Sequence, residues 1–200
     1  MASFTPEDIK KLKDLTGVGL TDARDALKEA DGNFDKALEE MRKKGLTKAE
    51  KRGDRETREG VIDSYVHDNR IGVLVELNCE TDFVARTEEF KALAHEIALQ
   101  VAGMNPLYVT REQVSEEEVE RVKAEIIAAN GDKLSNKPAD IVDKIVAGQI
   151  DKHFESLVLM SQAYFKDTDK TIEALIKDAI AKLGENITIK RFVRLEIGLD

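Results

Sequence analysis

The sequence contains no tryptophan, and aromatic residues make up only 5% of its 200 positions. With so few aromatics, the core must be built mainly from Leu, Ile, Val and Ala, which is typical of helix-rich proteins. The single cysteine, Cys79, cannot form an internal disulfide, which fits a reducing compartment. No apolar run approaches the roughly 20 residues of a membrane span, and the first residues lack a signal-peptide core. We therefore expect a folded, cytoplasmic protein that does not enter a membrane.

The sequence also lacks the motifs of common chemical sites. No glycine-rich phosphate loop is present, and no glycine fingerprint follows a predicted strand. His95 and Glu96 begin like a zinc-protease helix, but Leu99 occupies the place of the second histidine. The net charge of -9 argues against general nucleic-acid binding. The sequence therefore predicts no enzyme activity, no cofactor and no metal site.

The distribution of charge predicts the domain organisation. From Arg42 to Arg58 there are eight basic and three acidic residues, and only Leu46 and Ala49 are apolar. Such a stretch cannot bury a face, so we interpret it as a solvated linker that is partly helical at most. The predicted units are a three-helix domain of the ubiquitin-associated type at 1–45, a charged linker at 46–58 and an α+β core at 59–200.

The first unit shows three short helices. Thr5 and Pro6 are placed to begin the first helix. Thr21 and Asn33 are placed to cap the second and the third, and the third is expected to end before Gly45. The residues expected to face inward are Ile9, Leu12, Leu15, Ala23, Ala26, Leu27, Ala30, Ala37, Leu38 and Met41. A core this small is typical of docking modules rather than of enzymes.

The second unit alternates in a strand-like way before it becomes helical again. Residues 61–66 and 71–77 predict an antiparallel hairpin, and a helix follows from Phe90 to Val101. An antiparallel helical hairpin is expected at about 115–160, with its first helix capped by Ser115 and broken at 130–132. A helix at 172–183 and a strand at 187–197 complete the unit. The predicted class is α+β, with a three-stranded antiparallel sheet covered by helices and a projecting helical hairpin.

The stretch that carries most functional information lies where the second strand ends. Cys79 falls late in that strand and is interpreted as a half-buried thiol. Asn78, Glu80, Thr81 and Asp82 indicate that the chain leaves the sheet there, so Phe83 stands at a turn. An aromatic in that place is either a lid on the core or a contact for a partner, and the pattern alone leaves both open.

Two segments carry a resemblance to a known family. The continuous run from Glu76 to Arg86 closely resembles a signature of elongation factor Ts, the family of nucleotide-exchange factors for the GTPase elongation factor Tu. A second, independent match resembles the other signature of that family. Its residues are Leu12, Lys13, Leu15, Thr16, Gly17, Val18, Gly19, Leu20, Asp22, Ala23, Ala26 and Leu27.

The resemblance implies a partner and a set of contact residues. Thr81, Asp82, Phe83 and Val84 would contact elongation factor Tu and dislocate its magnesium ion, which promotes GDP release. The amino-terminal unit would dock on the same partner through the residues Leu12, Thr16, Gly17 and Gly19. The chain is similar to the short members of the family, for which a homodimer and a two-plus-two complex with elongation factor Tu are implied.

Two other interpretations remain open at this level. A scaffold or adaptor could use the three-helix unit alone, and it would bind a partner without causing nucleotide release. A thiol enzyme could use Cys79, but it would need a neighbouring base.

Overall fold

The computed structural model describes residues 4–134 and 138–198 of the chain. It begins with a helical module made of three helices. These are α1 (Pro6–Thr16), α2 (Leu20–Glu29) and α3 (Phe34–Glu50). Their core is small and consists mainly of Leu12, Leu27, Ala37 and Met41. A capping box begins α1, because the Thr5 hydroxyl accepts from Asp8 N while the Asp8 carboxylate accepts from Thr5 N.

A three-stranded antiparallel sheet follows. The first two strands are β1 (Glu59–His67) and β2 (Ile71–Cys79), which form a hairpin. Three residues separate the strands. Arg70 N donates to His67 O across a turn whose central residues, Asp68 and Asn69, have positive φ, as a type I′ turn requires. The remaining elements in chain order are α4 (Asp82–Ala85), α5 (Glu88–Met104), α6 (Glu116–Leu134), α7 (Ala139–Leu157), β3 (Ala163–Tyr164), β4 (Asp167–Thr171), α8 (Ile172–Leu183) and β5 (Ile187–Glu196). The strand β5 pairs with β2, so the sheet order is β1-β2-β5.

The two faces of the sheet differ in burial. Val73, Val75, Leu77 and Cys79 lie on the inner face and are buried beneath the helices α5 and α8. Strand periodicity places alternate residues on the other face, where Leu74 is exposed beside Val193 of β5. One face of the sheet therefore forms the main core, and the other presents apolar side chains to solvent.

The helices α6 and α7 pack on each other and form a separate cluster. Val122 of α6 lies with Val146, Ile150 and Phe154 of α7 in that cluster. These helices are the predicted hairpin, and the predicted α+β class is confirmed. Residues 135–137, between α6 and α7 in the sequence, lie outside the described residues.

Three predicted helix boundaries were wrong. The helix α2 begins at Leu20 with Gly19 as its N-cap, so Thr21 lies inside the helix. The helix α3 passes Gly45, where the absence of a side chain lets α3 approach Ala181 of α8. The helix α6 continues through Asn130, whose amide donates both to Ile126 O and to Gln149 Oε1 of α7. A tertiary hydrogen bond thus replaces the break that the sequence suggested.

The predicted linker at 46–58 also requires a correction in its first residues. The helix α3 extends to Glu50, and Ala49 is buried against the main core. This part of the charged stretch therefore packs on the main core through Ala49. The limits of the three units remain predictions.

Candidate protein-interaction site

The tip, defined as residues Thr81–Val84, lies directly after β2. Glu80 and Thr81 lead out of the strand, and the single-turn helix α4 then begins with Asp82. Thr81 is the N-cap of α4, but its hydroxyl does not bond to the helix. It donates instead to Glu185 Oε1 at 2.6 Å. The orientation of the tip therefore depends on the turn between α8 and β5.

The two apolar side chains of the tip point in different directions. Phe83 is 80% exposed, the highest fraction among the large hydrophobic residues that the structure describes. Val84 is half-buried and packs against the main core. The structure therefore excludes Phe83 as a lid on the core and leaves its ring free to contact another molecule. Asp82 forms an ion pair with Arg86 one helical turn later, at 2.8 Å.

The thiol of Cys79 is fully buried beneath the tip, rather than half-buried as predicted. It donates to Thr81 O at 3.2 Å. Burial, and then the negative charge of Glu185, raise the pKa of this thiol to about 11. A nucleophilic cysteine needs a lowered pKa and access to substrate, so the structure argues against a thiol enzyme.

The predicted docking residues of the module have different environments. Leu12 is fully buried, so it can support docking only through the packing of the module. Thr16 is half-buried, and its hydroxyl donates to Leu12 O at 2.6 Å. Gly17 ends α1 at a φ of 68° and lies against Lys182 of α8. Gly19 is exposed at the start of α2.

Sequence analysis missed two exposed leucines beside those positions. Leu20 is 58% exposed, and Leu15, which was expected to face inward, is 51% exposed. Leu15 lines a cavity of about 400 Å³ between the module and the core, with Met41 and Leu175 among its other walls. The exposure of Leu20 could have been inferred from its position directly after the Thr16–Gly19 break, since such a residue begins a new helix at the surface.

The two predicted sets of contact residues are both held by the end of α8 and the turn after it. Lys182 lies against Gly17, and Glu185 bonds to Thr81. Among the hydrogen bonds and ion pairs of residues 4–134 and 138–198, none joins the two sets directly. One short segment thus connects the module with the tip.

The described part of the chain offers little for other kinds of site. It contains no group of three or more His, Cys, Asp or Glu side chains that could hold a metal ion. Within the same residues, no helix combines the length and the apolar character needed to cross a bilayer.

Aromatic side chains are enriched at the centres of protein interfaces, so the exposed ring of Phe83 on a hydrogen-bonded turn indicates a protein that works by contacting another protein. A sequence model of the elongation factor Ts family matches residues 6–199, and the chain belongs to this family. Its function therefore lies in translation elongation.

Relatives from several bacteria are similar over nearly the whole chain. The elongation factor Ts of Thermotoga petrophila is 53% identical over 191 residues, which cover 95% of this chain and 94% of the relative. That of Syntrophomonas wolfei is 48% identical over 196 residues, which cover 98% and 91% respectively. That of Thermodesulfovibrio yellowstonii is 44% identical over 196 residues, which cover 98% and 97%.

Proposed function

We propose that this chain is a guanine-nucleotide exchange factor for elongation factor Tu. It binds the partner in its GDP form and promotes GDP release, so that GTP can load during protein synthesis. The observation that carries this proposal is the 80% exposure of Phe83 on a turn that is held by hydrogen bonds. Such a factor needs no active site of its own, and we do not regard the chain as an enzyme. Its place of action is the cytoplasm.

The mechanism follows from reciprocal coupling between two ligands of one protein. If the factor and GDP each weaken the binding of the other by about 4 kcal/mol, the affinity for GDP falls by roughly a thousandfold. Phe83 would supply the wedge that enters the partner, and Asp82 would anchor it through hydrogen bonds. The resulting shift would displace the magnesium ion that neutralises the phosphates, which weakens the hold on GDP.

The other members of the tip and the module would act in supporting roles. Thr81 bonds to Glu185 and Val84 packs on the core, so these two residues would transmit the orientation of the core to the ring. On the module, Thr16, Gly17 and Gly19 would form the docking region, with Leu12 packed beneath them. Exposed Leu20 offers apolar area at the same place.

Stopped-flow release of labelled GDP from elongation factor Tu tests the proposal. The protein should accelerate release, and Phe83→Ala should reduce the acceleration at least about tenfold, because large buried anchors dominate interfaces. The same change should alter the free energy of unfolding by less than about 0.5 kcal/mol, since the ring is exposed in the free protein.

Phe165→Ala is the matched control. Phe165 lies between β3 and β4 and is 41% exposed, so its removal also takes an aromatic ring from the surface. It should leave GDP release unchanged. Equal rates for the parent protein and Phe83→Ala would refute the proposed role of the tip. Binding to elongation factor Tu without acceleration would favour the scaffold interpretation.

A further inference from the structure

The end of β2 is held by one carboxylate from a distant part of the chain. Glu185 Oε2 accepts from Glu80 N at 3.1 Å and from Thr81 N at 3.0 Å. Its other oxygen accepts from the Thr81 hydroxyl at 2.6 Å. Hydrogen bonds to an ionised acceptor are stronger than those between neutral groups. Three of them on one side chain fix the direction in which the chain leaves the sheet.

A second carboxylate makes the reverse connection. Glu80 Oε1 accepts from Asn186 N at 2.7 Å, so each segment donates a backbone N–H to an acidic side chain of the other. The Asn186 amide, which is buried, donates to Gly53 O and Arg55 O in the segment that precedes β1. We call this arrangement of Glu80, Thr81, Glu185 and Asn186 the carboxylate clasp.

The helix α4 needs such support because it is very short. A single turn of four residues is not stable alone, since forming the first turn costs more than its hydrogen bonds return. Thr81 O accepts from Ala85 N and from the Cys79 thiol, so Thr81 is bonded through its nitrogen, its hydroxyl and its carbonyl. Phe83 follows two residues later and is mostly exposed, so its direction depends on that of α4.

We propose that Glu185 is a positioning residue for nucleotide exchange, which acts through Thr81 to hold the tip ready for its partner. This inference rests on the function proposed above. An ordered tip binds without the cost of immobilising the turn, and that saving is the general advantage of preorganisation. Because Lys182 lies against Gly17, the same segment also sets the module relative to the tip.

The test is Glu185→Gln, which removes the charge but keeps the shape of the side chain. We expect kcat/KM for catalysed GDP release to fall about tenfold, mainly through a higher KM, because the bound partner itself orders Phe83. Amide hydrogen exchange at Glu80 and Thr81, measured by NMR, should become faster. Glu80→Gln removes the opposite half of the clasp and should act in the same direction, which provides a second variant if the first folds poorly.

Glu96→Gln is the matched control. Its carboxylate is also partly buried and accepts from Tyr164 at 2.7 Å and from Lys166 at 2.6 Å, but it holds β3 rather than the tip. It should leave kcat/KM and the exchange of the Glu80 and Thr81 amides unchanged. If Glu185 had only a structural role, Glu185→Gln and Glu96→Gln would both lower the melting temperature and neither would change KM. That result would contradict a positioning role for Glu185.

The Phe83→Ala background separates this inference from the proposed function. If Glu185 acts through the tip, Glu185→Gln should cause no further loss of rate once Phe83 is removed. Suppose that GDP release depends on Phe83 but that Glu185→Gln leaves kcat/KM unchanged. That result would overturn the inference about Glu185 and leave the proposed function standing. Unchanged hydrogen exchange at the Glu80 and Thr81 amides would do the same. Failure of the parent protein to accelerate GDP release would overturn the proposed function and the role of Glu185 in it.

Discussion

At the scale of single residues, Phe83 and Val84 are neighbours on one helical turn, but one side chain is exposed and the other packs on the core. Successive residues of a helix point about 100° apart, so Val84 packs on the core while the neighbouring ring is exposed. The sequence predicts the turn but not which neighbour faces outward, because both are apolar and α4 is too short to show a period. The exposed face is decided by the hydrogen bonds of Thr81 to Glu185, which lies far away in the sequence.

Cys79 gives a prediction at this scale. Its buried thiol has a pKa raised to about 11, so only about one thiol in a thousand is ionised at pH 8. We expect alkylation by iodoacetamide at that pH to be at least a hundredfold slower in the folded protein than in the unfolded chain, measured by mass spectrometry. Comparable rates in the two states would show that the thiol is accessible and contradict the structure.

At the scale of elements, the helices that could be predicted have strong local signals. The helix α8 ends at Gly184 in the left-handed conformation, and α5 carries a regular apolar stripe from Phe90 to Val101. The short strands β3 and β4 were missed because Asp167–Thr171 is polar and has no alternation. The extension of α6 was missed because the bond between Asn130 and Gln149 is tertiary.

The contact between α1 and α8 gives a prediction at this scale. Gly17 and Gly184 both end helices at positive φ, at 68° and 81°. A β-carbon on Gly17 would lie 2.5 Å from Lys182 Cα, whereas one on Gly184 would meet nothing within 4 Å. Gly184→Ala should therefore cost only the backbone strain of about 1 kcal/mol, while Gly17→Ala should cost about 2 to 4 kcal/mol.

Denaturant unfolding measures both glycine variants, and limited proteolysis identifies the region that is affected. Gly17→Ala should expose the segment between α3 and β1 to cleavage, because the module is pushed away from α8. Gly184→Ala serves as the control for the strain alone. Equal losses of stability in the two variants would mean that the module does not pack closely on α8.

At the scale of the whole molecule, the outer face of the three-stranded sheet presents apolar side chains to solvent. It carries the exposed apolar side chains Ile62, Val66, Leu74, Val193, Leu195 and Ile197. The strand register places Leu74 opposite Val193, and Leu195 lies opposite Gly72, so these side chains are contiguous. Monomeric proteins rarely expose such a patch. We propose that a second copy of the chain covers it through a two-fold interface, which gives a two-plus-two complex with elongation factor Tu.

This proposal predicts that light scattering at about 10 micromolar protein gives twice the mass of one chain. Leu74→Glu should convert the dimer to a monomer, because it would bury an unpaired charge at the centre of the face, where a buried charge without a partner costs several kcal/mol. Ile127→Glu is the matched control, since Ile127 is 44% exposed on α6, away from the sheet. It should leave the mass unchanged. A parent protein that is monomeric at this concentration would contradict the dimer, and the apolar face would then have to bind a different partner.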